Sequence, residues 1–483
     1  MTVTDTQQVN MSEVLAGLAS ILDIVEGQPP GHVLRSCLIG MRIGERIGLD
    51  DEQRSSLFYA LLLKDAGCSS NAARISAMFD ADDFVSKYTY KTVDWTRQPD
   101  ATLYVMRTVS PDDSIWSKAR QFIEIGRQKH SSAKQLIEIR CERGAGIARL
   151  LGLSEDTAVA IRNLDEHWDG AGHPDGASGG ESPLLARICG LAQTVDVFYS
   201  QFGPVMAENM VLDRRGTWFD PVLADILLAE ARAGQLWTAL ESDHLSAVVE
   251  ALEPASLIIP ATPERLDLIA VAFSQIIDAK SPYTSQHSAG VARVAALLAQ
   301  RMGFSERAVQ EQERAGLLHD IGKLRVSNRI LDKPGKLTDA EFREIQKHPE
   351  LTYQTLVRVG PLAKIAEVSA LHHERLDGSG YYRGMSAHNL GLSARILAVA
   401  DVYDALVSDR PYRAGMPIEQ ALAIIRTDAG SKLCPECVEQ LVELAPSLAP
   451  ARVAPSQPIQ RGSTVHASPS RTLVPAGHNS NVA

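Results

Sequence analysis

The chain carries one pattern twice, and an internal repeat restricts a fold more than any single motif does. His32 is matched by His287 and Asp65 by Asp320, both 255 residues later. Each Asp closes a leucine-rich stretch, Leu62-Leu63-Lys64-Asp65 in one case and Leu317-Leu318-His319-Asp320 in the other. Further on the spacing is 208. Glu166–Gly172 (Glu-His-Trp-Asp-Gly-Ala-Gly) parallels Glu374–Gly380 (Glu-Arg-Leu-Asp-Gly-Ser-Gly), and Ala186-Arg187-Ile188 parallels Ala394-Arg395-Ile396. The two spacings differ because the first copy holds extra residues, read as an irregular, tyrosine-rich insertion at about 71–112. The economical reading is two copies of one domain.

The repeated unit is helical. Apolar residues recur at helical spacing through Ser12–Leu49, Glu52–Leu63, Ala119–Gly126, Ala133–Leu151, Glu155–Leu164, Ser182–Phe198 and Asp220–Ala231, and strand-like alternation is almost absent. Pro254, Pro260 and Pro263 punctuate a junction, since proline disfavours helix at its own and the preceding position. The expected organisation is all-α: two tandem helical bundles over 12–255 and 262–445, then a Pro-, Ser- and Gly-rich tail over 446–483 expected to be disordered. The first ten residues read as frayed.

Composition narrows the class. At 483 residues, with 45% hydrophobic and 22% charged residues, the chain can bury more than one core. A net charge of -11 without a long basic run argues against nucleic acid or an anionic membrane as the main partner. The polar N-terminus and the absence of a long apolar run lead to an expectation of a cytoplasmic protein. Cys37, Cys68, Cys141, Cys189, Cys434 and Cys437 read as reduced thiols. Cys434-Pro-Glu-Cys437, a lone CxxC pair, reads as a helix start rather than a zinc site.

Chemistry concentrates in the second copy. His287, His319, Asp320, His348, His372, His373 and Asp401 all carry metal-ligand side chains, and a carboxylate can bridge two ions. Each alone has a structural alternative: a single histidine near an apolar face is usually a satisfied core or surface residue, and paired histidines can favour a helix C-terminus. Together, in a chain with 13 histidines among 483 residues, they point to a metal pair able to activate water against phosphorus. Such a site needs cations for the other phosphate oxygens, and Lys323, Arg410 and Arg413 are the best placed by sequence. Asp377-Gly378-Ser379-Gly380-Tyr381 forms a glycine-rich loop beside the ligands, able to bring backbone close to a substrate.

From about Leu266 to Leu444 these motifs resemble the HD-GYP domain, a branch of the HD phosphohydrolase superfamily. The resemblance rests on His287, His319-Asp320-Ile-Gly-Lys323, His348 in Lys-His-Pro-Glu, His372-His373-Glu374-Arg-Leu-Asp377-Gly-Ser-Gly380-Tyr381, Asp401 in Ala-Asp-Val-Tyr-Asp404, and Arg410-Pro-Tyr-Arg413. It implies a helical bundle that hydrolyses cyclic di-GMP, through the linear dinucleotide towards GMP, with two divalent transition-metal ions, iron or manganese. By the same resemblance the seven residues become metal ligands with Asp320 bridging and catalytic. Lys323, also catalytic, contacts substrate together with Gly380, Tyr381, Arg410 and Arg413, while Glu374, Asp377 and Asp404 support the ligands. Two positions depart from the family pattern. Tyr382 stands where the signature has proline, and Tyr283 stands where members with a third metal carry glutamate, which favours a two-metal site.

The first copy resembles the same fold with its chemistry removed. Lys64 replaces the metal-binding histidine, Leu164-Asp165 the His-His pair and Gln193 the later aspartate, and Cys141 falls near the place of His348. A remnant metal site from Asp65, Asp165, Glu166 and His167 is the weaker reading. The favoured role is structural or regulatory, paired face to face with the catalytic copy. The expected partners are a cyclic dinucleotide, proteins docking on the loop or the N-terminal copy, and a second copy of the chain in a homodimer; neither nucleic acid nor membrane is expected. Two alternatives stay open: another cyclic dinucleotide or nucleotide phosphoester as substrate, and a non-catalytic nucleotide sensor or docking regulator.

Overall fold

The computed structural model describes residues 9–109, 131–282, 284, 286–409 and 414–448. Among them the chain is all-α, with only isolated bridges such as Asn10 to Pro260 and Asp377 to Ser386 in place of strands. No described helix is long and apolar enough to cross a membrane. The expected helix Ala119–Gly126 and the tail from 449 onward lie outside the described residues. Val9 and Asn10 are not frayed: Ala261 N donates to Val9 O and Met11 N to Ile259 O, tying the chain start to the proline junction.

In the first half the helices that position the site are α1 (Met11–Val25), α2 (His32–Arg46), α3 (Asp51–Leu63), α4 (Asp83–Tyr90), α5 (Gln98–Thr108), α6 (Ser131–Leu150), α7 (Glu155–Asn163), α8 (Leu184–Phe202) and α9 (Pro204–Arg214). The second half uses α10 (Pro263–Lys280), α11 (His287–Arg301), α12 (Glu306–Leu318), α13 (His348–Leu356), α14 (Ala363–Ala370) and α15 (Leu392–Val407). Their starts follow from local chemistry. Asp50 accepts from Gln53 N at 2.8 Å to open α3, and Thr262 accepts from Arg265 N at 3.4 Å to open α10, where Pro263 needs no donor.

The repeat in sequence is a repeat in packing. α2 lies against α3 and α8, and α11 lies against α12 and α15, its counterparts. A Cβ on Gly316 would stand 2.6 Å from the Ala292 Cα, so only glycine lets α12 approach α11 closely enough to bring His319 beside His287. The halves also exchange contacts reciprocally. α1 packs on the turn Ile321–Arg325 that follows Asp320, and α10 packs on Cys68–Asn71, which follows Asp65. One continuous buried core runs from Met11 to Leu448, so the division at 12–255 and 262–445 is our proposal from the repeat rather than a gap in packing.

The stretch 71–112, read as irregular, contains the helices Ala72–Phe79, α4 and α5. Sequence periodicity missed them because their apolar residues form a small cluster of their own, Phe79, Ala81, Tyr104 and Val109, under helices of only 8 to 11 residues. α4 links the halves. Asp83, fully buried, accepts from Lys280 Nζ at 2.8 Å and from Asn328 N at 2.9 Å, and Lys280 is itself 2% exposed. Lys87 Nζ donates to Val25 O at 2.7 Å and Cys68 O at 3.1 Å.

Removing one partner of a buried ion pair leaves the other uncompensated. Asp83→Ala is expected to destabilise the full chain by about 3–5 kcal/mol in denaturant unfolding, and Asp83→Ala with Lys280→Met to recover most of that loss. Additive losses in the double variant would contradict the pairing.

Candidate metal centre

The centre lies where α11, α12, α13, α14 and α15 converge, and four of its five histidines are oriented before any ion is considered. His319 Nδ1 donates to Gly316 O, His348 Nδ1 to Ile345 O and His372 Nδ1 to Ser369 O, each at 2.7 Å. These bonds run back three residues to the carbonyls freed at a helix end, which is why the ligands stand at helix termini. His287 Nδ1 meets Asp404 Oδ2 at 2.7 Å. In all four rings Nε2 is left facing the centre, and the tautomer is fixed from behind.

The facing nitrogens fall into two groups around Asp320. Asp320 Oδ2 lies 3.4 Å from His319 Nε2 and 3.9 Å from His287 Nε2, and Asp401 Oδ1 lies 3.3 Å from His287 Nε2 and 3.8 Å from His319 Nε2. On the other side Asp320 Oδ1 lies 3.3 Å from His348 Nε2 and 3.7 Å from His372 Nε2. His373 Nδ1 stands 3.6 Å from Asp401 Oδ2. His287, His319 and Asp401 therefore form one cluster of ligand atoms, His348, His372 and His373 another, and each oxygen of Asp320 faces one of them. Asp320 is 1% exposed, and His319, His348 and His372 are fully buried.

The residues fit a metal pair. Buried polar atoms are normally satisfied, yet His319 Nε2 and Asp320 Oδ1 have no hydrogen-bond partner. Burial, reinforced by neighbouring imidazoles, holds His372 well below the usual histidine range, and burial pushes His373 down to about 3, so both stay neutral as ligands must. Asp320 and Asp401 stay ionised: burial opposes their charge, but the Lys323 ammonium outweighs it at the first, and the hydrogen bond from His287 at the second.

The other expected residues separate. Lys323 Nζ reaches Asp320 Oδ2 at 2.6 Å, from the turn after Asp320 rather than from a continuing helix. Gly380 packs so tightly that a Cβ would lie 2.5 Å from Arg375 N, and this holds Tyr381 with its ring 4.7 Å from that of His373. Glu374 holds no ligand; it accepts from the backbone N–H groups of Arg383, Gly384 and Met385 and so fixes the loop. Asp377 is exposed and accepts from Ser379 N and Oγ. Arg410, Arg413 and Tyr283 lie outside the described residues. Sequence reading passed over Asp278, which accepts from Ser288 Oγ at 2.7 Å beside His287; an aspartate near a helix end carries no signal of that reach.

The first copy keeps the frame of the site and fills it with cations. His32 Nδ1 meets Asp196 Oδ2 at 2.7 Å as His287 meets Asp404, and Glu166 grips the backbone of Asp175, Gly176 and Ala177 as Glu374 grips its loop. Lys64 pairs with Asp65 and reaches His32 Nε2 at 2.8 Å. Lys91, from the end of α4, pairs with Glu26 and reaches Gln193 Oε1 at 3.0 Å. The counterpart of His348 is Arg140, not Cys141: Gly67 abuts the Arg140 carbonyl as Gly322 abuts that of His348, and Arg140 pairs with Asp165. The spacing of 208, counted back from His348, leads to Arg140 directly. The remnant set does not converge, since His167 stacks on Trp218 at 4.1 Å while Asp65 and Asp165 are engaged by cations. Glu26, Asp65 and Cys68 do come together, but with Lys91 between them.

A family model described as HD domain matches residues 272–437. The 3'3'-cGAMP-specific phosphodiesterase 3 of Vibrio cholerae is 42% identical over 431 residues, 89% of this chain and 94% of its own length. The cyclic di-GMP phosphodiesterase of Thermotoga maritima is 41% identical over 163 residues, 33% of this chain and 44% of its own. The crystal structure of a cyclic GMP-AMP specific phosphodiesterase from V. cholerae aligns with a TM-score of 0.61 at 37% identity, covering 92% of this chain and 99% of that one. The chain belongs to the HD-GYP branch of the HD family of metal-dependent phosphohydrolases.

His287 supplies a test of the centre. Burial works against its charge, but Asp401 and Asp404 raise it to about 9, so below that pH the metal-free site holds a proton where an ion would bind. Metal entry then releases that proton. Affinity for Mn2+ is expected to rise about tenfold per pH unit between pH 6.5 and 8.5, read by titration calorimetry in buffers of different ionisation enthalpy. A flat profile with no proton release would contradict the assignment.

Proposed function

We propose that the chain hydrolyses a 3'3'-linked cyclic dinucleotide at the centre held by His287, His319, Asp320, His348, His372, His373 and Asp401. One observation carries this reading: a buried carboxylate whose two oxygens face two adjoining clusters of ligand atoms. That arrangement would hold two divalent transition ions, iron or manganese, with Asp320 offering one carboxylate oxygen towards each cluster. When bound, the pair supplies an activated water and positive charge at phosphorus.

The protein's own groups do the rest. Lys323, with its side chain 21% exposed, is the cation at the open side of Asp320 and suits a non-bridging phosphate oxygen. Tyr381, tilted against His373, forms a wall on which a nucleotide can rest. Water adds across the phosphorus–ester bond: its oxygen joins phosphorus, the sugar oxygen leaves as the hydroxyl, and a linear dinucleotide results. Arg410 and Arg413 are proposed as further phosphate contacts on the sequence motif alone.

As the preferred substrate we propose 3'3'-cGAMP. The relative whose name carries that specificity matches this chain along nearly its whole length, the N-terminal copy included, whereas the Thermotoga cyclic di-GMP phosphodiesterase matches about a third of it. Cyclic di-GMP, the substrate implied by the resemblance of the second copy alone, is the second reading, favoured by the match of that relative to the catalytic half.

With manganese- or iron-loaded full chain, kcat/KM for 3'3'-cGAMP is expected to exceed that for cyclic di-GMP by about tenfold or more, a difference of about 1.4 kcal/mol. Equal or reversed ratios would transfer the assignment to cyclic di-GMP. Asp320→Ala is expected to lose turnover of both and to retain none of the wild-type metal after dialysis, and turnover surviving that change would remove the hydrolase reading.

A further inference from the structure

We propose that a cavity between α4, α5, α8 and α9 is an effector site for a small amphipathic monoanion, an apolar chain or ring bearing one acidic head. It encloses about 810 Å³, within the roughly 300–1,000 Å³ typical of small-molecule pockets. The apolar part of its wall is formed by Val85, Leu103, Tyr104, Phe198, Met206 and Met210, set among polar residues such as Arg97, Asp100 and Arg107. Val85 is 63% exposed, Leu103 46% and Met206 47%, so large apolar side chains line an open mouth instead of entering the core.

The acidic head is called for by Arg214. This lining residue is only 4% exposed, and its Nη1 has no hydrogen-bond partner in a setting where buried donors are nearly always satisfied. Its guanidinium lies 4.0 Å from the centre of the Trp218 ring and 5.2 Å from that of Phe198, and Nη2 donates to Thr92 O at 3.4 Å. Burial pushes it down to about 10, so it remains a cation at neutral pH. No carboxylate among the described residues makes an ion pair with it. Of the four acids lining the cavity, Asp82 caps α4 and Asp94 and Asp213 both pair with Arg97, while Asp100 has no ion-pair partner among the described residues; Asp94, Asp213 and Asp100 lie near enough to favour the charge of Arg214 without pairing with it. A polyphosphate would meet those same carboxylates, which is why the site suits a single negative charge.

The cavity is placed to influence the catalytic half. α4 forms one wall and also carries Asp83, which holds Lys280 at the end of α10 and the backbone of Asn328. Two residues before Lys280, Asp278 accepts from Ser288, next to His287. Arg329, beside Asn328, lines the cavity as well. A ligand that alters the position of α4 therefore acts on a buried network ending at the metal centre, and by linkage the centre acts back on the ligand.

The test uses metal-loaded full chain and two probes, 8-anilinonaphthalene-1-sulfonate by fluorescence and dodecanoate by displacement. One sulfonate site per chain is expected, displaced by dodecanoate and not by dodecylammonium, with affinity reduced about tenfold or more in Arg214→Met. Leu103→Trp fills the mouth from an exposed position that the fold does not depend on, and should abolish binding while leaving basal turnover unchanged. Saturating dodecanoate should change KM for the cyclic dinucleotide in the wild type and not in Leu103→Trp. Binding that survives both substitutions, or competition by dodecylammonium equal to that by dodecanoate, would overturn the site. Binding without any change in KM would overturn its effector role.

Discussion

Everything in the second half is arranged around the difficulty of burying the Asp320 carboxylate. At 1% exposure, a charged group without compensation would cost several kcal/mol; the Lys323 ammonium meets Oδ2, and around the rest of the carboxylate stand imidazoles whose inner lone pairs face it. Imidazoles alone cannot satisfy a carboxylate when their Nδ1 protons are committed to backbone carbonyls, because their inner nitrogens are then acceptors too. Acceptor facing acceptor is stable only with a cation between them. The backbone bonds that orient the histidines thus build the demand for metal into the fold, and Gly316 and Gly322 let the elements close tightly enough to make it.

The N-terminal copy meets the same difficulty with the same frame and a different solution. Asp65 is as buried as Asp320, but Lys64 and Lys91 bring ammonium groups to the place where ions would otherwise be required, and Arg140 meets Asp165. A covalently attached cation cannot activate water, but it does satisfy the charge. This explains how one copy could lose its chemistry and remain folded. The reciprocal contacts of α1 and α10 then make the inert copy part of the active one's support, since the turn after Asp320 rests on α1.

Much of this was legible in the sequence, and for physical reasons. Helical periodicity is local, so the all-α class and most helices could be read directly, and the gathering of these side chains was readable because histidine and aspartate have few other reasons to recur at helix ends. The insertion was not legible: α4 and α5 are short, and Asp83 and Lys280 sit 197 residues apart. Nor was the division of labour among the acids. Glu374, beside the His-His pair in sequence, turns to the loop backbone, whereas Asp404, a full turn past Asp401, orients His287. Arg140 was legible from the spacing of 208 but was missed by one position, and the glycine packed on its carbonyl shows that the same register holds in the fold.

The central claim is tested most directly by anomalous diffraction from crystals of the manganese-loaded chain. Two peaks about 3.5–4 Å apart, one on each side of the Asp320 carboxylate, with no peak near Asp65, are the predicted result. A single peak away from Asp320, or a peak beside Asp65 in the N-terminal copy, would contradict it.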